Sequence, residues 1–243
     1  MDKLSFELLS IIEGHVRPGP DRIALACVSR RLQLATEHYT FRKIKLTSTY
    51  LEEAISLFRP DQAHRYSAVR KLEYEIILPK YSFNSCKRVE SKRAKARNNE
   101  VFTEAVVGLF SLLSREVAVG ARLYFFNGLR LSIFGVFSPS DTEFKELWSS
   151  SERPWQDLGH ERYAHSYLRL LIGDSDEELG VALPKLLRIT SLQVFGYPTR
   201  LVEAATVARI AGRMPNLQVL DLEGMSDDEY KFPAIRQQMR MGR

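Results

Sequence analysis

A short apolar pattern recurs along this chain at a fixed distance of 28 residues, and this repetition limits the fold more than any other feature. The pattern apolar-x-x-apolar-x-apolar begins at Phe41 and again at Val69, and near the C-terminus it begins at Ile189 and again at Leu217. A single match is weak, but two independent pairs with one spacing indicate repeated structural units. A unit of this length cannot bury its apolar side alone, so neighbouring units must stack against each other.

The segments around these repeats have the spacing of amphipathic helices. One apolar stripe lies between the first two repeats, another lies between the last two, and a third precedes a further candidate strand, Phe126-x-x-Leu129-x-Leu131. The stripes comprise Leu51, Ala54, Ile55 and Phe58, then Leu201, Ala204, Ala205, Ala208 and Ile210, and finally Phe102, Val106, Leu109, Phe110 and Leu113. Strands that alternate with helices predict an α/β fold in which strands line one face and helices pack behind them.

The predicted array of strand-helix units spans residues 41–243 and is irregular. Residues 79–99 and 137–160 are predicted insertions, the second because serine and proline interrupt the pattern there. Tyr163, Tyr167, Leu168, Leu170 and Leu171 suggest a helix after the second insertion. A last helix is expected at residues 234–239, with no polar C-terminal cap after it, as in a shortened gene product or a protein that lacks later repeats.

One face of the predicted strands is left open by the helices. Successive side chains of a strand point to opposite faces, so the residues between the apolar positions share this open face. It comprises Lys43, Lys45, Lys71, Glu73, Glu75, Arg130, Ser132, Ser191, Gln193, Phe195, Val219, Asp221 and Glu223. The face runs from basic to acidic, so a protein ligand of complementary polarity is expected to be steered onto it.

The first forty residues predict three short helices that precede the array. Ser5, Asp21 and Ser29 are the expected N-caps, and residues 16–20, with two prolines and a glycine, separate the first helix from the second. A unit below about 40 residues rarely stabilises itself without a metal, a disulfide or a partner. We therefore expect these helices to rest against another surface.

Composition favours an intracellular, ordered chain. Hydrophobic residues make up 44% of the sequence and charged residues 27%, which disfavours disorder, and there are only two cysteines. Scarce cysteine favours a reducing compartment, either cytoplasm or nucleus. Charged residues near the N-terminus disfavour a signal peptide, and no apolar run has the length of a membrane span.

No catalytic, cofactor-binding or metal site is predicted. His160 and His165 are five residues apart, which puts them on different faces of a helix. The acidic residues 174–178 do not begin a calcium loop, because Leu179 stands at the position of its glycine and Lys185 at that of its last glutamate. Cys27 lies in an apolar helical stretch without an adjacent base, which predicts a core thiol rather than a nucleophile. The sequence therefore predicts a binding protein rather than an enzyme, and it calls for no cofactor.

Residues 87–97 carry six positive charges and one negative charge. Three interpretations remain open for this basic segment: a solvated helical insertion, a nuclear import signal, or a nucleic-acid patch. Few aromatic residues accompany the charges, which disfavours stacking on single-stranded bases.

The N-terminal helices resemble an F-box. The resemblance lies in Leu4-Ser5-Phe6-Glu7-Leu8-Leu9-Ser10-Ile11-Ile12 and in Ile23-Ala24-Leu25-Ala26-Cys27-Val28-Ser29-Arg30-Arg31-Leu32, although Ser5 stands where the family has proline and Leu32 where it has tryptophan. It implies an F-box at residues 1–40 that docks onto a Skp-type adaptor, and through it onto a cullin ubiquitin ligase. The adaptor-binding residues that it implies are Leu4, Ser5, Leu8, Leu9, Ile12, Leu25, Val28, Ser29, Arg30 and Leu32. The alternative is that these are ordinary core positions of a helical cap on the next domain.

The repeats have the spacing of leucine-rich-repeat strands, and the whole arrangement resembles fungal F-box proteins with a leucine-rich-repeat-like C-terminal region. Segments such as HSYLRLL and MPNLQVLDLE carry that resemblance. It implies an adaptor function, in which the helices bind the Skp-type protein and the open face binds a target protein for ubiquitination. Two alternatives remain: an interaction scaffold that never engages a ligase, and a nuclear protein that binds nucleic acid through residues 87–97.

Overall fold

A computed structural model of the chain describes residues 4–17, 19–59, 62–86, 88–114, 128–141, 143, 166–171, 183–195 and 200–223. These residues form a mixed α/β structure with one five-stranded parallel sheet, and the strands follow each other across the sheet in chain order. The predicted α/β class is confirmed. Several predictions lie outside the described residues. They are the helix at residues 234–239, most of the insertion at 137–160, and the metal-site candidates at residues 160, 165 and 174–178.

The elements in chain order are α1 (Phe6–His15), α2 (Pro20–Val28), α3 (Arg30–Thr40), β1 (Lys43–Thr47), a 3-10 turn (Ser48–Tyr50), α4 (Leu51–Leu57), α5 (Ala63–Ala68), β2 (Lys71–Ile77), α6 (Phe83–Cys86), α7 (Lys92–Ser114), β3 (Leu129–Phe137), β4 (Ile189–Phe195), α8 (Ala204–Gly212) and β5 (Val219–Glu223). Within the described residues, no helix is both long enough and apolar enough to cross a membrane.

Two of the three predicted N-caps are confirmed. Ser5 Oγ accepts from the Leu8 N–H at 3.4 Å, and Ser29 Oγ accepts from the Leu32 N–H at 3.3 Å. The prediction that Asp21 caps the second helix is wrong, because Gly19 is the N-cap and α2 begins at Pro20. Proline suits the first helical position, since it has no N–H to leave unsatisfied there. Gly19 has a φ of 114°, a left-handed value that favours glycine.

The 28-residue spacing of the sequence is also the pairing register of the sheet. In β1 and β2, Ile44 lies opposite Leu72 and Leu46 lies opposite Tyr74. In β4 and β5, Leu192 pairs in the same way with Leu220. The two repeat pairs therefore predict both the strands and their alignment.

The middle strand is confirmed, but aligning its motif with that of β2 would misplace it by two residues. Leu131, rather than Leu129, lies opposite Leu72, and Ile133 lies opposite Tyr74. Leu129, Leu131 and Ile133 alternate with other residues, and a slip of two keeps every side chain on its face, so hydrophobic patterning cannot distinguish the two registers. For the same reason the slip leaves the predicted open face intact.

The core lies between the sheet and the helices behind it. The inward side chains of the strands are buried, and α7 contributes Phe102, Leu109 and Phe110, each 0% exposed. Tyr74 is buried as well, and its hydroxyl donates to the Ala105 carbonyl of α7 at 3.0 Å. Burial raises the pKa of Tyr74, so it remains a neutral donor.

The predicted helical stripes are partly correct. The α4 stripe packs against the core as predicted, and so does the α7 stripe, although that helix begins at Lys92, inside the predicted insertion. In the last stripe Leu201 precedes the helix and Ala205 is exposed, while Val207 and Ile210 are buried. The stripe was misassigned because alanines suit either side of a helix, and here the larger side chains occupy the core.

Residues 166–171 do not form the predicted helix. They are extended, and Leu168 forms a parallel bridge with Val202. Leu168 and Leu170 are buried, while Arg169 and Leu171 between and after them are exposed. This alternation has the period of a strand, and the clustered leucines concealed it in the sequence.

Candidate interaction surfaces

The N-terminal helices have a very small core of their own. Leu9, Leu32 and Ala35 are each 1% exposed, and Leu4 and Leu25 pack beside them while partly accessible. Among the predicted adaptor-binding residues, Leu9 and Leu32 therefore cannot contact a partner, because their side chains are inside the unit. Both stabilise the helices instead.

Besides Phe6, which packs edge-to-face against His38, five large apolar side chains of α1 and α2 remain exposed. Leu8, Ile11, Ile12, Ile23 and Val28 have exposed fractions between 40% and 68%, and we call them the helical apolar surface. Leu8, Ile12 and Val28 were predicted as adaptor-binding residues. Ile11 and Ile23 lie within the segments that resemble an F-box but were not among the predicted adaptor-binding residues.

The other predicted adaptor-binding residues have mixed environments. Ser5 and Ser29 are the helix caps, and exposed Arg30 donates to Gln33 Oε1 at 2.8 Å. Cys27 is exposed, so the expectation of a core thiol is wrong. It lies on α2, a helix with no buried residue, whose apolar sequence does not imply a buried environment.

An open groove of about 570 Å³ lies on α1, α2 and the turn between them. It is lined by His15, Val16, Arg17, Asp21, Ala24, Leu25 and Val28. Val28 belongs to both the groove and the helical apolar surface. The unit therefore presents an indented, partly apolar face rather than a flat polar one.

A buried ion pair holds α1 and α2 together across the proline-rich turn. Arg22 Nε lies 2.5 Å from Glu13 Oε1, and Arg22 also donates to the Val16 carbonyl at 2.9 Å. The guanidinium lies over the Tyr39 ring at 4.3 Å, which connects the pair to α3. Burial raises the pKa of Glu13, and the Arg22 charge partly opposes that shift.

Glu37 connects the N-terminal helices to the sheet domain. Its carboxylate accepts from Arg65 Nη2 at 2.8 Å and lies 2.5 Å from His64 Nε2, and both partners are on α5. Gln33 donates to the same carboxylate at 2.9 Å. The hydrogen bond from Arg65, followed by those from His64 and Gln33, lowers the pKa of Glu37 to about 2, although burial opposes the shift.

Aromatic contacts reinforce this junction. Phe41, directly after α3, packs edge-to-face against Phe58, and Phe58 packs edge-to-face against Tyr66 of α5. The ring centroids are 6.1 Å and 5.5 Å apart. Arg65 also lies over the Phe41 ring, 5.3 Å from its centroid. Ionic and aromatic contacts together fix the orientation of the three helices relative to the sheet.

The basic half of the open face is crossed by ion pairs. Glu73 Oε1 lies 2.9 Å from Lys43 Nζ and 2.8 Å from Lys71 Nζ, and Lys45 Nζ lies 2.8 Å from Glu75 Oε1. The lysine hydrogen bonds lower the pKa of Glu73, and the Glu75 bond raises the pKa of Lys45.

Two predicted target-binding residues are covered by their neighbours. Glu73 is 8% exposed and Ser132 is 0% exposed, so neither offers its side chain to a large ligand. The predicted alternation is correct for both, but longer side chains on adjacent strands close over them. The sequence of one strand cannot predict burial by side chains of its neighbours.

The other half of the face is a polar ladder beside apolar groups. Ser132 Oγ donates to Gln193 Oε1 at 3.2 Å, and Gln193 Nε2 donates to Asp221 Oδ2 at 3.0 Å. Val219 is 53% exposed and Phe195 is partly exposed. Glu223 pairs with Phe195 through its backbone at the end of β5.

The basic segment is folded rather than a free extension. Ser91 Oγ accepts from the Ala94 N–H at 3.2 Å, and the positively charged residues from Lys92 onward form the first turns of α7. Glu90, its one acidic residue, is buried with Arg200, whose Nη1 and Nη2 atoms donate to the two carboxylate oxygens at 3.0 Å and 2.9 Å. Lys87 lies outside the described residues.

The Glu90–Arg200 pair has further polar partners. Asn98 donates to Glu90 Oε1 at 2.6 Å, the Ser166 hydroxyl donates to Glu90 Oε2, and Arg200 also donates to the Ser166 carbonyl at 3.2 Å. The pair thus connects three segments that are far apart in sequence. Its only indication in the sequence was one acidic residue within a basic run.

The described part of the chain contains no group of three or more His, Cys, Asp or Glu side chains placed to hold a metal ion.

Comparison with known proteins adds no assignment: no family model matches this chain, and neither a curated protein nor a solved structure does.

Proposed function

We propose that this protein is the substrate-recognition subunit of a Skp-cullin-F-box type ubiquitin ligase. In this proposal residues 1–40 are an F-box, and the sheet domain is a short, irregular leucine-rich-repeat-like array that binds the target protein. The chain itself carries out no chemistry. It acts in the cytoplasm or nucleus and raises the local concentration of the target near the subunits that deliver ubiquitin.

The helical apolar surface is the observation that carries the proposal. A simple helical cap would use its apolar side chains to pack against its own domain. Within the described part of these helices three apolar residues form the buried core, while Leu8, Ile11, Ile12, Ile23 and Val28 remain exposed. Several large exposed apolar side chains on short helices with so small a core indicate a surface that a partner protein covers.

The two departures from the F-box pattern leave the helices intact. Ser5 caps α1 through its side chain, so the helix start is defined without the family's proline. Leu32 fills a buried position, although a leucine buries less area there than a tryptophan. These roles support an F-box that keeps its shape and presents its apolar surface.

Co-purification with a Skp-type adaptor tests the proposal. We would co-express the full chain with the adaptor and compare it with the double variant Leu8→Asp/Ile12→Asp. Each residue is about half exposed, so its burial in the complex contributes roughly 1 kcal/mol of binding free energy. The variant loses this contribution, and each aspartate adds the cost of a buried charge. Affinity is expected to fall by about 100-fold or more.

Leu187→Asp is the matched control, because Leu187 is 48% exposed against 49% for Leu8 and lies in the turn before β4. This variant should bind the adaptor like the wild type, and circular dichroism should show that all variants fold. Folded wild-type protein that forms no complex would contradict the adaptor function and favour a scaffold independent of the ligase. A complex that survives in the double variant would place the contact on another surface.

A further inference from the structure

Three positively charged side chains lie directly opposite one another near the N-terminal ends of the strands. Lys43 pairs with Lys71, and Lys71 pairs with Arg130. Neighbouring strands are about 4.8 Å apart, so these three residues, the cation row, originate from a line about 10 Å long. Like charges directly opposite each other destabilise a sheet. The cation row therefore has a cost that an anion would relieve.

The protein neutralises the row only in part. One carboxylate, that of Glu73, is shared between Lys43 and Lys71. Arg130 is exposed, and among the described residues no carboxylate forms an ion pair with it. The row thus keeps a net positive charge, with the guanidinium of Arg130 open to solvent.

Other cations make this end of the sheet more positive. Arg42 is exposed directly before β1, while the guanidinium groups of Arg70 and Arg188 donate to carbonyl oxygens at the end of α5. Burial, together with the charges of Arg188 and Arg42, lowers the pKa of Arg70. Burial, Arg70 and Arg42 likewise lower the pKa of His38. In both cases burial is the larger cause, and the neighbouring arginine charges add to it.

We propose that the cation row binds an acidic segment of a protein ligand, with Arg130 as the principal contact. The inference deepens the proposed function and rests on it in one respect, since the segment would belong to the ubiquitination target. A guanidinium suits this role because its planar fork can bind a carboxylate through two parallel hydrogen bonds.

The dimensions and neighbours of the row favour a peptide over a nucleic acid. An extended peptide places the side chains of one face about 6.6 Å apart, so two acidic residues span the row. A nucleic acid needs a longer track, because strong binders contact about 6–10 phosphates. Here Glu73 and Glu75 follow the row along β2, so the positive track ends after one row and is too short for a phosphate backbone.

Binding of a fluorescein-labelled hexaglutamate peptide to the full chain tests the inference by fluorescence anisotropy at low ionic strength. Arg130→Glu should weaken binding about tenfold, because it replaces an attractive contact by a repulsive one. Arg93→Glu is the matched control: it makes the same change of charge at an exposed arginine of the basic segment, and it should change the affinity less than about twofold. A hexalysine peptide should not bind.

Three results would overturn the inference: no hexaglutamate binding by the wild type, equal binding by Arg130→Glu, or a larger loss in Arg93→Glu than in Arg130→Glu. A short oligonucleotide that binds more tightly than hexaglutamate and is lost in Arg130→Glu would also overturn it, in favour of nucleic acid. The assay contains no Skp-type adaptor. Failure of the adaptor function therefore leaves its result unchanged, and failure of peptide binding leaves the adaptor test unchanged.

Discussion

The pair Glu90–Arg200 should be the most strongly coupled ionic contact in the described structure. Both side chains are 1% exposed, and two parallel hydrogen bonds connect them. Arg200→Met would leave a buried carboxylate supported only by Asn98 and Ser166. Removing one partner of a buried pair costs about 3–5 kcal/mol, so we expect that loss in the free energy of unfolding. For a chain of this length it corresponds to a fall in Tm of roughly 10 °C.

A double-mutant cycle separates the pair from its surroundings. Glu90→Gln keeps the shape of the side chain and an acceptor for Asn98, but it leaves the guanidinium of Arg200 buried without a carboxylate. The double variant Glu90→Gln/Arg200→Met contains neither charge and should lose about 3 kcal/mol less than the sum of the two single variants. Urea denaturation at neutral pH measures all four unfolding free energies.

Arg169 and Glu203 provide the control cycle for the same chemistry in solvent. Arg169 Nε lies 2.9 Å from Glu203 Oε1, with side chains 54% and 32% exposed. Arg169→Met and Glu203→Gln should show a coupling below about 1 kcal/mol, because water screens the charges. If the Glu90–Arg200 coupling is equally small, the pair does not hold the three segments together, and the reasoning from burial is refuted.

Two further predictions concern the junction and the sheet. Glu37→Gln should lower the unfolding free energy at neutral pH by about 1–3 kcal/mol after solvent screening. The pKa of Glu37 is about 2 in the folded protein against an ordinary 4.5, so its contribution to wild-type stability should be fully present above about pH 4.5 and fall towards pH 2. In urea titrations at several pH values, Glu37→Gln should flatten that decline. An unchanged decline in that variant would contradict this role. Gly128→Ala should destabilise the fold by about 1–3 kcal/mol, because its Cβ would lie 2.8 Å from the Thr190 Cβ and closer still to the Thr190 hydroxyl. Gly212→Ala, where nothing lies within 4 Å of the added Cβ, is the control, and equal thermal stability of both variants would count against the packing of β3 on β4.

Sequence reasoning predicted the parts of the fold that repeat. Two strand pairs have one spacing, and the sheet uses that spacing as its register. The caps at Ser5 and Ser29 were also predictable, because a serine side chain at the start of a helix supplies a local acceptor. These features depend on residues close in sequence or on a period that repeats.

Features that depend on distant residues could not be predicted in this way. The partner of Glu90 is 110 residues away and lies in another segment, so the basic run gave no reason to expect a buried carboxylate. Leu168 belongs to an extended segment because Val202 pairs with it. At Ser132 the direction of the side chain was predicted correctly, but its burial was not, because burial depends on side chains of neighbouring strands.

The junction at Glu37 determines how the two candidate surfaces can work together. An adaptor on the helical apolar surface and an acidic segment on the cation row would be joined through α3, which carries Glu37, and through Phe41 before β1. If that connection were flexible, a bound target would sample many positions, and its effective concentration near the ligase would fall. The hydrogen bonds from α5 and the packing of Phe41 on Phe58 instead restrict that motion. In the proposed function, this protein therefore contributes a fixed geometry between its two partners in addition to binding each of them.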